Sequence, residues 1–99
     1  IAKLDFAQLA TKLHDLIRGL SRWPVAHTTF EGKLLKVHRA VVAQAQGDCG
    51  PAGKVLDSKK LIVACGSGAL ELQQVQLEGG KRISGEDFMR GRKAQQLGE

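Results

Sequence analysis

The first segment with a clear hydrophobic pattern runs from Leu4 to Leu20, where apolar residues recur at spacings of three and four. Such spacing predicts an amphipathic helix with one apolar stripe, which must dock on the rest of the fold. Asp5, with Gln8 three residues later, has the spacing of an N-cap, while Gly19 and Pro24 are stop signals. The stripe consists of Phe6, Leu9, Ala10, Leu13, Leu16, Ile17 and Leu20.

Beyond Pro24 the pattern becomes that of extended strands. Residues His27 to Phe30, a turn at Glu31-Gly32 and residues Lys33 to Ala43 together predict a β-hairpin. On the second strand the apolar and basic residues fall on opposite parities, so one face can meet a core while the other meets solvent. Arg39 breaks this rule, which predicts a bulge or a strand end near it. The apolar parity carries Leu35, Val37 and Val41, and the basic parity carries Lys36 and His38.

Three more short strands are predicted after a flexible, turn-rich connection at residues 47–53. They span Lys54 to Asp57, Leu61 to Cys65 and Ala69 to Leu77, and the turns between them are polar or glycine-rich. Leu70, Leu72 and Val75 do not alternate strictly, so a bulge is expected in the last strand. About five short strands without alternating βα units predict a small barrel or sandwich.

A short helix is predicted near the end of the chain. Ser84 is a good N-cap, and Glu86 and Asp87 place acids in the first turn, where they suit the helix dipole. Phe88 and Met89 would anchor the helix on the core, and Gly91 is expected to fray it. Cations follow at Arg90, Arg92 and Lys93.

Size and composition indicate one small globular domain. The 99 residues are 42% hydrophobic, and no apolar run approaches the roughly 18 residues needed to cross a bilayer. We expect a soluble, cytoplasmic monomer without a membrane contact. Cys49 and Cys65 favour free thiols in a reducing compartment, and His14, His27 and His38 lack a ligand spacing, so we predict no metal.

Charge points to a partner rich in phosphates. The net charge is +5, and the excess lies at the two ends: residues 1–46 carry seven Lys and Arg against three acids, and residues 81–99 carry five against three. Clustered cations are typical of nucleic-acid binding, although a solvated surface can look the same. The sequence holds only Trp23 and three Phe, and no Tyr, so few rings could stack on bases. This favours contacts with the phosphates and sugars of a folded RNA.

No catalytic constellation can be nominated from the sequence. Around Ser67 the positions of the two glycines of a nucleophile elbow hold Cys65 and Ala69. The acids are few and scattered, so no pair of carboxylates is available for acid and base catalysis. We therefore expect that these 99 residues are not catalytic alone.

Five blocks of sequence, in order, resemble the C-terminal domain of methionyl-tRNA formyltransferases. They are residues 13–26 (LHDLIRGLSRWPVA), 32–40 (GKLLKVHRA), 51–56 (PAGKVL), 61–70 (LIVACGSGAL) and 77–84 (LEGGKRIS). The resemblance implies a mainly β fold with flanking helices: a small OB-like β-barrel with an N-terminal amphipathic helix and a short C-terminal helix. Residues 1–99 would form one domain, with 1–22 as the leading helix and 23–99 as the barrel plus the terminal helix.

The resemblance also implies a function for the domain and its parent. In that family a separate N-terminal domain holds 10-formyltetrahydrofolate and the catalytic residues, and the formyl group passes to the methionine of initiator methionyl-tRNA. This chain would then be a non-catalytic piece of a transferase, without a cofactor of its own. Its partners would be the initiator methionyl-tRNA and the covalently linked catalytic domain.

Candidate RNA-binding residues follow from the charge clusters and the resemblance together. Trp23-Pro24 is interpreted as structural. The sequence departs from the family's pattern at Arg22, where proline is expected, and at His38, where an aromatic residue such as Trp is common. The first group of candidates is Lys33, Lys36, Arg39, Lys81 and Arg82, and the second is Arg22, His38, Arg90, Arg92 and Lys93.

Two other hypotheses remain open at this point. The chain could be the equivalent domain of a related enzyme acting on small molecules, such as a 10-formyltetrahydrofolate hydrolase or dehydrogenase or a sugar-nucleotide formyltransferase. There the barrel would shape a cleft and RNA would have no part. It could also be a generic OB-like interaction module, although the scarcity of stacking rings disfavours that.

Overall fold

The computed structural model describes residues 4–19 and 26–98, so the predictions for Leu20, Arg22 and Trp23-Pro24 fall outside the described residues. A mainly β architecture with two flanking helices is confirmed, and its strands form one antiparallel sheet that curls into a half barrel. The elements are α1 (Ala10–Gly19), β1 (His27–Phe30), β2 (Lys33–Gln44), β3 (Ile62–Ala64), β4 (Ala69–Leu77), β5 (Arg82–Ser84) and α2 (Gly85–Arg92).

The predicted hairpin is confirmed. β1 pairs antiparallel with β2, and Phe30 lies opposite Lys33, so the connection is the two-residue turn Glu31-Gly32. Both turn residues have a positive φ, 51° at Glu31 and 80° at Gly32. Two positive φ angles match the right-handed twist of the strands, and glycine adopts one without strain.

The bulge expected near Arg39 is present. Val37 pairs with Val75 of β4 and Arg39 pairs with Gln74, which leaves His38 as an extra residue on β2. The bulge changes the parity of the buried positions, so that Ala40 is buried after it and Val41 is only half-buried. The prediction that Val41 continues the apolar face is therefore wrong, because the extra residue shifts the pleat by one position.

β4 is the central strand, with the same bounds as the sequence predicted. β2 lies along one of its edges, while β3 and β5 share the other edge, pairing with its first and last thirds. The expected bulge in this strand is confirmed at Gln73, which has no partner between the pairs Arg39–Gln74 and Ala40–Leu72. The sequence analysis predicted no strand between Leu77 and Ser84, but Arg82 begins β5, because three residues suffice to pair with the free part of this edge.

Residues 54–57 do not form the predicted strand. Instead Lys54 bridges to Gln96 and Val55 bridges to Val63 of β3. The segment at residues 95–98 also reaches β1, where the Gly98 amide donates to the Thr29 carbonyl oxygen (2.9 Å). Backbone hydrogen bonds therefore continue from β1 through residues 95–98 and 53–55 to β3, and so close the half barrel into a ring. The OB-like classification of this ring stays a prediction.

The first helix begins six residues later than predicted. α1 starts at Ala10, and the Ala10 amide donates to the Ser67 carbonyl oxygen (2.9 Å). Asp5 is not its N-cap: its carboxylate accepts from the Ala7 amide (3.0 Å) within a separate turn. Gly66 packs against the backbone of Ala7, so the β3–β4 turn holds this segment out of helical geometry. Leu9 and Leu16, expected in the buried stripe, are 53% and 38% exposed.

The second helix agrees closely with its prediction. Ser84 caps α2, since its hydroxyl accepts from the Asp87 amide (3.0 Å), and Phe88 and Met89 are buried. Gly91 does not fray the helix, which continues to Arg92 and ends with Lys93 in the left-handed conformation. Gly85 approaches β4 so closely that a Cβ there would meet the Leu72 carbonyl oxygen.

A single hydrophobic cluster fills the barrel and holds both helices. Ala10, Leu13 and Ile17 attach α1 to it, and the Phe30 and Phe88 rings meet edge to face with centroids 5.1 Å apart. Thr28 is also buried, and its hydroxyl has no hydrogen-bond partner. In the described part of the chain, no helix is long and apolar enough to cross a membrane.

Candidate nucleic-acid interface

A row of polar side chains crosses the outer face of the sheet. Lys36 of β2 lies opposite Gln76 of β4, and Gln76 lies opposite Arg82 of β5. Lys36 and Arg82 are both exposed, and Lys36 lies between the buried positions Leu35 and Val37 of β2. Three strands therefore place one cation on each side of Gln76, with Lys36 on β2 and Arg82 on β5.

The bulge adds His38 to this row. Its Nε2 lies 3.0 Å from Oε1 of Gln76, and the imidazole is half-buried. Burial lowers the pKa of His38 below its usual value because it disfavours the charged ring, and the positive charges of Arg82 and Lys36 add to this effect. The hydrogen bond that His38 donates to Oε1 of Gln76 opposes the decrease only in part.

Together with α1 these strands form a groove of about 470 Å³, which we call the basic groove. Two strands contribute the guanidinium groups of Arg39 and Arg82, and α1 contributes an imidazole. Among the described residues, no acid lines this groove. Its lining is His14, Ile17, His38, Arg39, Ala40, Val41, Gln74 and Arg82.

The position of α1 follows from its buried face. Ile17 is 2% exposed and fixes the helix against the core, which leaves His14 half-buried at the edge of the groove. Nδ1 of His14 lies 3.9 Å from the carboxylate of Asp15. Asp15 is therefore the acid of α1 that is nearest to the basic groove. A rigid helix thus closes one side of a cationic surface.

Comparisons with known proteins agree with this fold. The family described as formyl transferase, C-terminal domain, matches residues 2–93. This chain belongs to that family. The resemblance seen in the sequence is therefore confirmed.

Relatives of this formyl transferase C-terminal domain are named methionyl-tRNA formyltransferase. The chain is 41% identical over 90 residues to the protein of Geobacter metallireducens, covering 89% of this chain and 28% of that protein. It is 43% identical over 100 residues to that of Solibacter usitatus (98% and 32%), and 45% identical over 93 residues to that of Myxococcus xanthus (92% and 29%). The chain thus spans about a third of the length of these relatives or slightly less.

The remaining cations predicted on the hairpin and its neighbouring turn lie outside the groove lining. Lys33 shares the parity of buried Leu35 and pairs with Phe30 at the hairpin end, on the face opposite to Lys36. Lys81 is exposed in the turn before β5, directly adjacent to Arg82. Arg22 falls outside the described residues.

The cations of α2 lie in different surroundings. Arg90 donates to the Asp87 carboxylate (3.0 Å), and the Arg92 guanidinium lies 5.4 Å from the centroid of the Phe88 ring. Arg90 and Lys93 line a second groove of about 610 Å³, which we call the helix groove. Its lining mixes both charges with apolar side chains: Val55, Leu56, Asp57, Ser58, Lys59, Glu86, Met89, Arg90, Lys93, Ala94 and Gln95.

Sequence reasoning missed three residues of the basic groove and its surroundings: His14, Gln74 and Gln76. Gln74 and Gln76 flank buried Val75 and so point away from the core, but nothing in the sequence shows which residues lie opposite them. His14 lies beside the apolar stripe of α1, which is a weak signal for a position at the edge of an interface. The cross-strand register determines which side chains lie next to each other in the groove, and the bulge at His38 shifts this register.

The arrangement can hold an anion, and the two cysteines of the chain lie outside the groove lining. Cys49 and Cys65 are both free, as predicted. Burial raises the pKa of Cys65 to about 11, so its thiol stays protonated and unreactive near neutral pH. Within residues 4–19 and 26–98, no cluster of His, Cys, Asp and Glu could hold a metal ion.

Proposed function

We propose that this domain docks initiator methionyl-tRNA for a methionyl-tRNA formyltransferase by binding RNA phosphates in the basic groove. The observation that carries the proposal is the convergence of Arg39, Arg82 and His38, with Lys36 beside them, on a surface whose described lining has no acid. Guanidinium groups suit phosphate because they can donate two parallel hydrogen bonds. An unpaired cation also retains its full attraction for the ligand.

The burial of the three phenylalanine side chains, which are the aromatic residues in the described part of the chain, favours backbone contacts over the reading of bases. Phe6, Phe30 and Phe88 are 5%, 7% and 0% exposed, so none of them offers a face for stacking. Recognition of single-stranded bases depends on such faces. A folded RNA that presents its phosphates and 2′-hydroxyl groups is therefore the partner that the groove fits, and the Gln74 amide can add a hydrogen bond to a sugar.

The names of the relatives supply the reaction to which this docking would contribute. In the enzyme that we propose, 10-formyltetrahydrofolate gives its formyl group to the methionine of the initiator tRNA, and this step takes place outside these 99 residues. The present domain contributes affinity and orientation. No described feature favours the alternative of an enzyme acting on small molecules.

The proposal is tested by titrating fluorescein-labelled initiator tRNA with the 99-residue domain and measuring anisotropy between 50 and 200 mM salt. If about four phosphates are neutralised, affinity should fall on the order of 100-fold over this range. Undetectable binding at 50 mM salt, or an affinity that salt does not change, would overturn the proposal.

A matched pair of variants locates the interface. The double variant Arg39→Glu, Arg82→Glu should weaken binding about 10- to 100-fold, while Arg90→Glu, Lys93→Glu changes the net charge equally and should weaken it by only about threefold. Exposed charges contribute little to stability, so both variants should unfold at nearly the temperature of the parent. Equal losses from the two variants would show that general attraction, and not the basic groove, binds the RNA.

A further inference from the structure

The hydrogen bonds around Gln76 determine which nitrogen of His38 carries a proton. Nε2 of Gln76 donates to the Gly80 carbonyl oxygen (3.1 Å), so its amide orientation is fixed with Oε1 toward His38. An amide oxygen can only accept a hydrogen bond. Neutral His38 is therefore the tautomer with its proton on Nε2.

The other ring nitrogen, Nδ1, has no hydrogen-bond partner among the described residues. In the neutral ring this atom is an acceptor, and phosphodiester oxygens are acceptors as well, so the two repel each other. Protonation converts Nδ1 into a donor and gives the ring a positive charge. His38 can therefore bind a phosphate in the basic groove only in its protonated form.

Burial of His38, followed by the positive charges of Arg82 and Lys36, lowers the pKa of the ring and so favours its neutral form in the free domain. Lys36 and Arg39 flank it on β2, Arg82 lies across β4, and His14 faces it from α1. The strand between them offers only the neutral amides of Gln74 and Gln76. Three acids lie near this surface, and none of them lines the basic groove. Asp15 lies against His14, Glu71 is opposite Val41 and lines a different cavity, and Glu78 accepts from the Leu34 amide (3.1 Å) in a cavity that it shares with Lys36 and Gln76.

A bound phosphate would reverse this balance. Its negative charge would offset the neighbouring cations and favour the charged imidazole, whose Nδ1 proton it could accept. We propose that His38 takes up one proton from solvent when an RNA phosphodiester enters the basic groove, and that Nδ1 then donates to a phosphate oxygen. This inference rests on the proposed function, because it concerns the same groove and the same partner.

The measurable consequence is a tighter complex at lower pH. Binding linked to proton uptake at one histidine should be about three- to tenfold tighter at pH 6 than at pH 8 at constant ionic strength. The effect should be confined to this window, because histidine is the side-chain type whose charge ordinarily changes there.

The test measures the affinity of the 99-residue domain for initiator tRNA at pH 6, 7 and 8. His38→Gln should bind with nearly the same affinity at all three values, since its amide does not titrate. His27→Gln, on β1 and outside the basic groove, is the matched control and should retain the pH dependence of the parent. His14→Gln, inside the basic groove, shows whether the other imidazole of the groove causes the dependence instead. Thermal unfolding verifies that each variant is folded.

A second measurement is independent of substitution. Calorimetric titration at pH 7 in buffers with different ionisation enthalpies counts the protons taken up on binding, and the parent should take up a fraction of one proton while His38→Gln takes up none. NMR of the His38 Cε1 proton should give a higher pKa in the complex than in the free domain.

The outcomes separate this inference from the proposed function. Salt-sensitive RNA binding that does not depend on pH, or a dependence that survives in His38→Gln and disappears in His14→Gln, would overturn the role of His38 while leaving tRNA docking in place. Failure to bind RNA at any pH at 50 mM salt would overturn both. The inference would be supported if, among the three histidine variants, only His38→Gln loses the pH dependence and this variant also takes up no proton on binding.

Discussion

The basic groove and the helix groove differ in the surroundings that they give to their cations, although both sets of cations lie in basic clusters of the sequence. Arg39 and Arg82 project from strands onto a surface whose described lining has no acid, so their charge is available to a ligand. Arg90 instead pairs with Asp87, and Arg92 covers the Phe88 ring, so α2 uses its cations within the fold. A count of lysines and arginines does not separate the two roles, whereas the pairing of each cation does.

The largest expected effect concerns the attachment of α2. Phe88→Ala should lower the free energy of unfolding by about 3–5 kcal/mol, because it removes a fully buried ring that contacts Phe30. Urea denaturation followed by circular dichroism measures this. A loss below about 1 kcal/mol would mean that α2 is not anchored in the core. The statement that α2 uses its cations within the fold would then be wrong.

Two glycines of α2 should respond with opposite signs. Gly85→Ala should destabilise the domain by about 1–3 kcal/mol, since the new Cβ would meet the Leu72 carbonyl oxygen. Gly91→Ala should stabilise it by about 0.5–1 kcal/mol, because nothing lies within 4 Å of that Cβ and alanine favours a helix. Unfolding midpoints of the two variants decide the matter. If both variants changed the stability in the same direction, the close packing of α2 against β4 at Gly85 would be contradicted.

Exposed cations sharpen the comparison at a smaller scale. Arg92→Ala should lower stability by about 0.5–1 kcal/mol through loss of its contact with Phe88, and leave RNA affinity nearly unchanged. Lys36→Ala should do the reverse, with unchanged stability and an RNA affinity lower by about threefold to tenfold. Thermal unfolding and anisotropy on the same samples measure both quantities. A stability loss in Lys36→Ala would show that the outer row of the sheet is structural.

The smallest effects are in the pH dependence of stability without RNA. The pKa of His38 is lowered by folding, so the unfolded chain takes up the proton first, and stability should decrease as the pH falls below about 6.5. The pKa of Asp57, in the helix groove, is lowered by hydrogen bonds from the Lys59 and Lys60 amides, so its contribution should be lost only below about pH 4. Unfolding midpoints of His38→Gln and Asp57→Asn against pH check the two windows. Each variant should lack only its own decrease.

Local patterns in the sequence predicted the elements whose partners are also local. The hairpin, its turn at Glu31-Gly32 and the Ser84 cap of α2 depend on neighbours a few residues away, and all three are confirmed. The bulge near Arg39 could be predicted because a charged residue interrupts an alternating strand. These features can be found from periodicity alone.

Contacts between distant residues account for the errors. α1 starts at Ala10 because Ser67, far along the chain, accepts the hydrogen bond of the Ala10 amide and Gly66 packs on Ala7. Residues 54–57 form bridges instead of a strand because the partner of Lys54 is Gln96, and nothing local indicates that pairing. The cations of the basic groove could be named from the sequence. The strand register that places Gln76 between Lys36 and Arg82 could be seen only in the structure.

Closure of the barrel through residues 95–98 has a consequence for the order of events during synthesis. The amides of Leu97 and Gly98 donate to the carbonyl oxygens of Gly53 and Thr29, so a segment that is synthesised after all five strands joins the two free edges of the sheet. Until then the nascent chain exposes the edges of β1 and β3, which are the places where a second polypeptide could pair. The barrel therefore cannot close before residues 95–98 have been synthesised, and the interval before its closure is when a chaperone would be of most use.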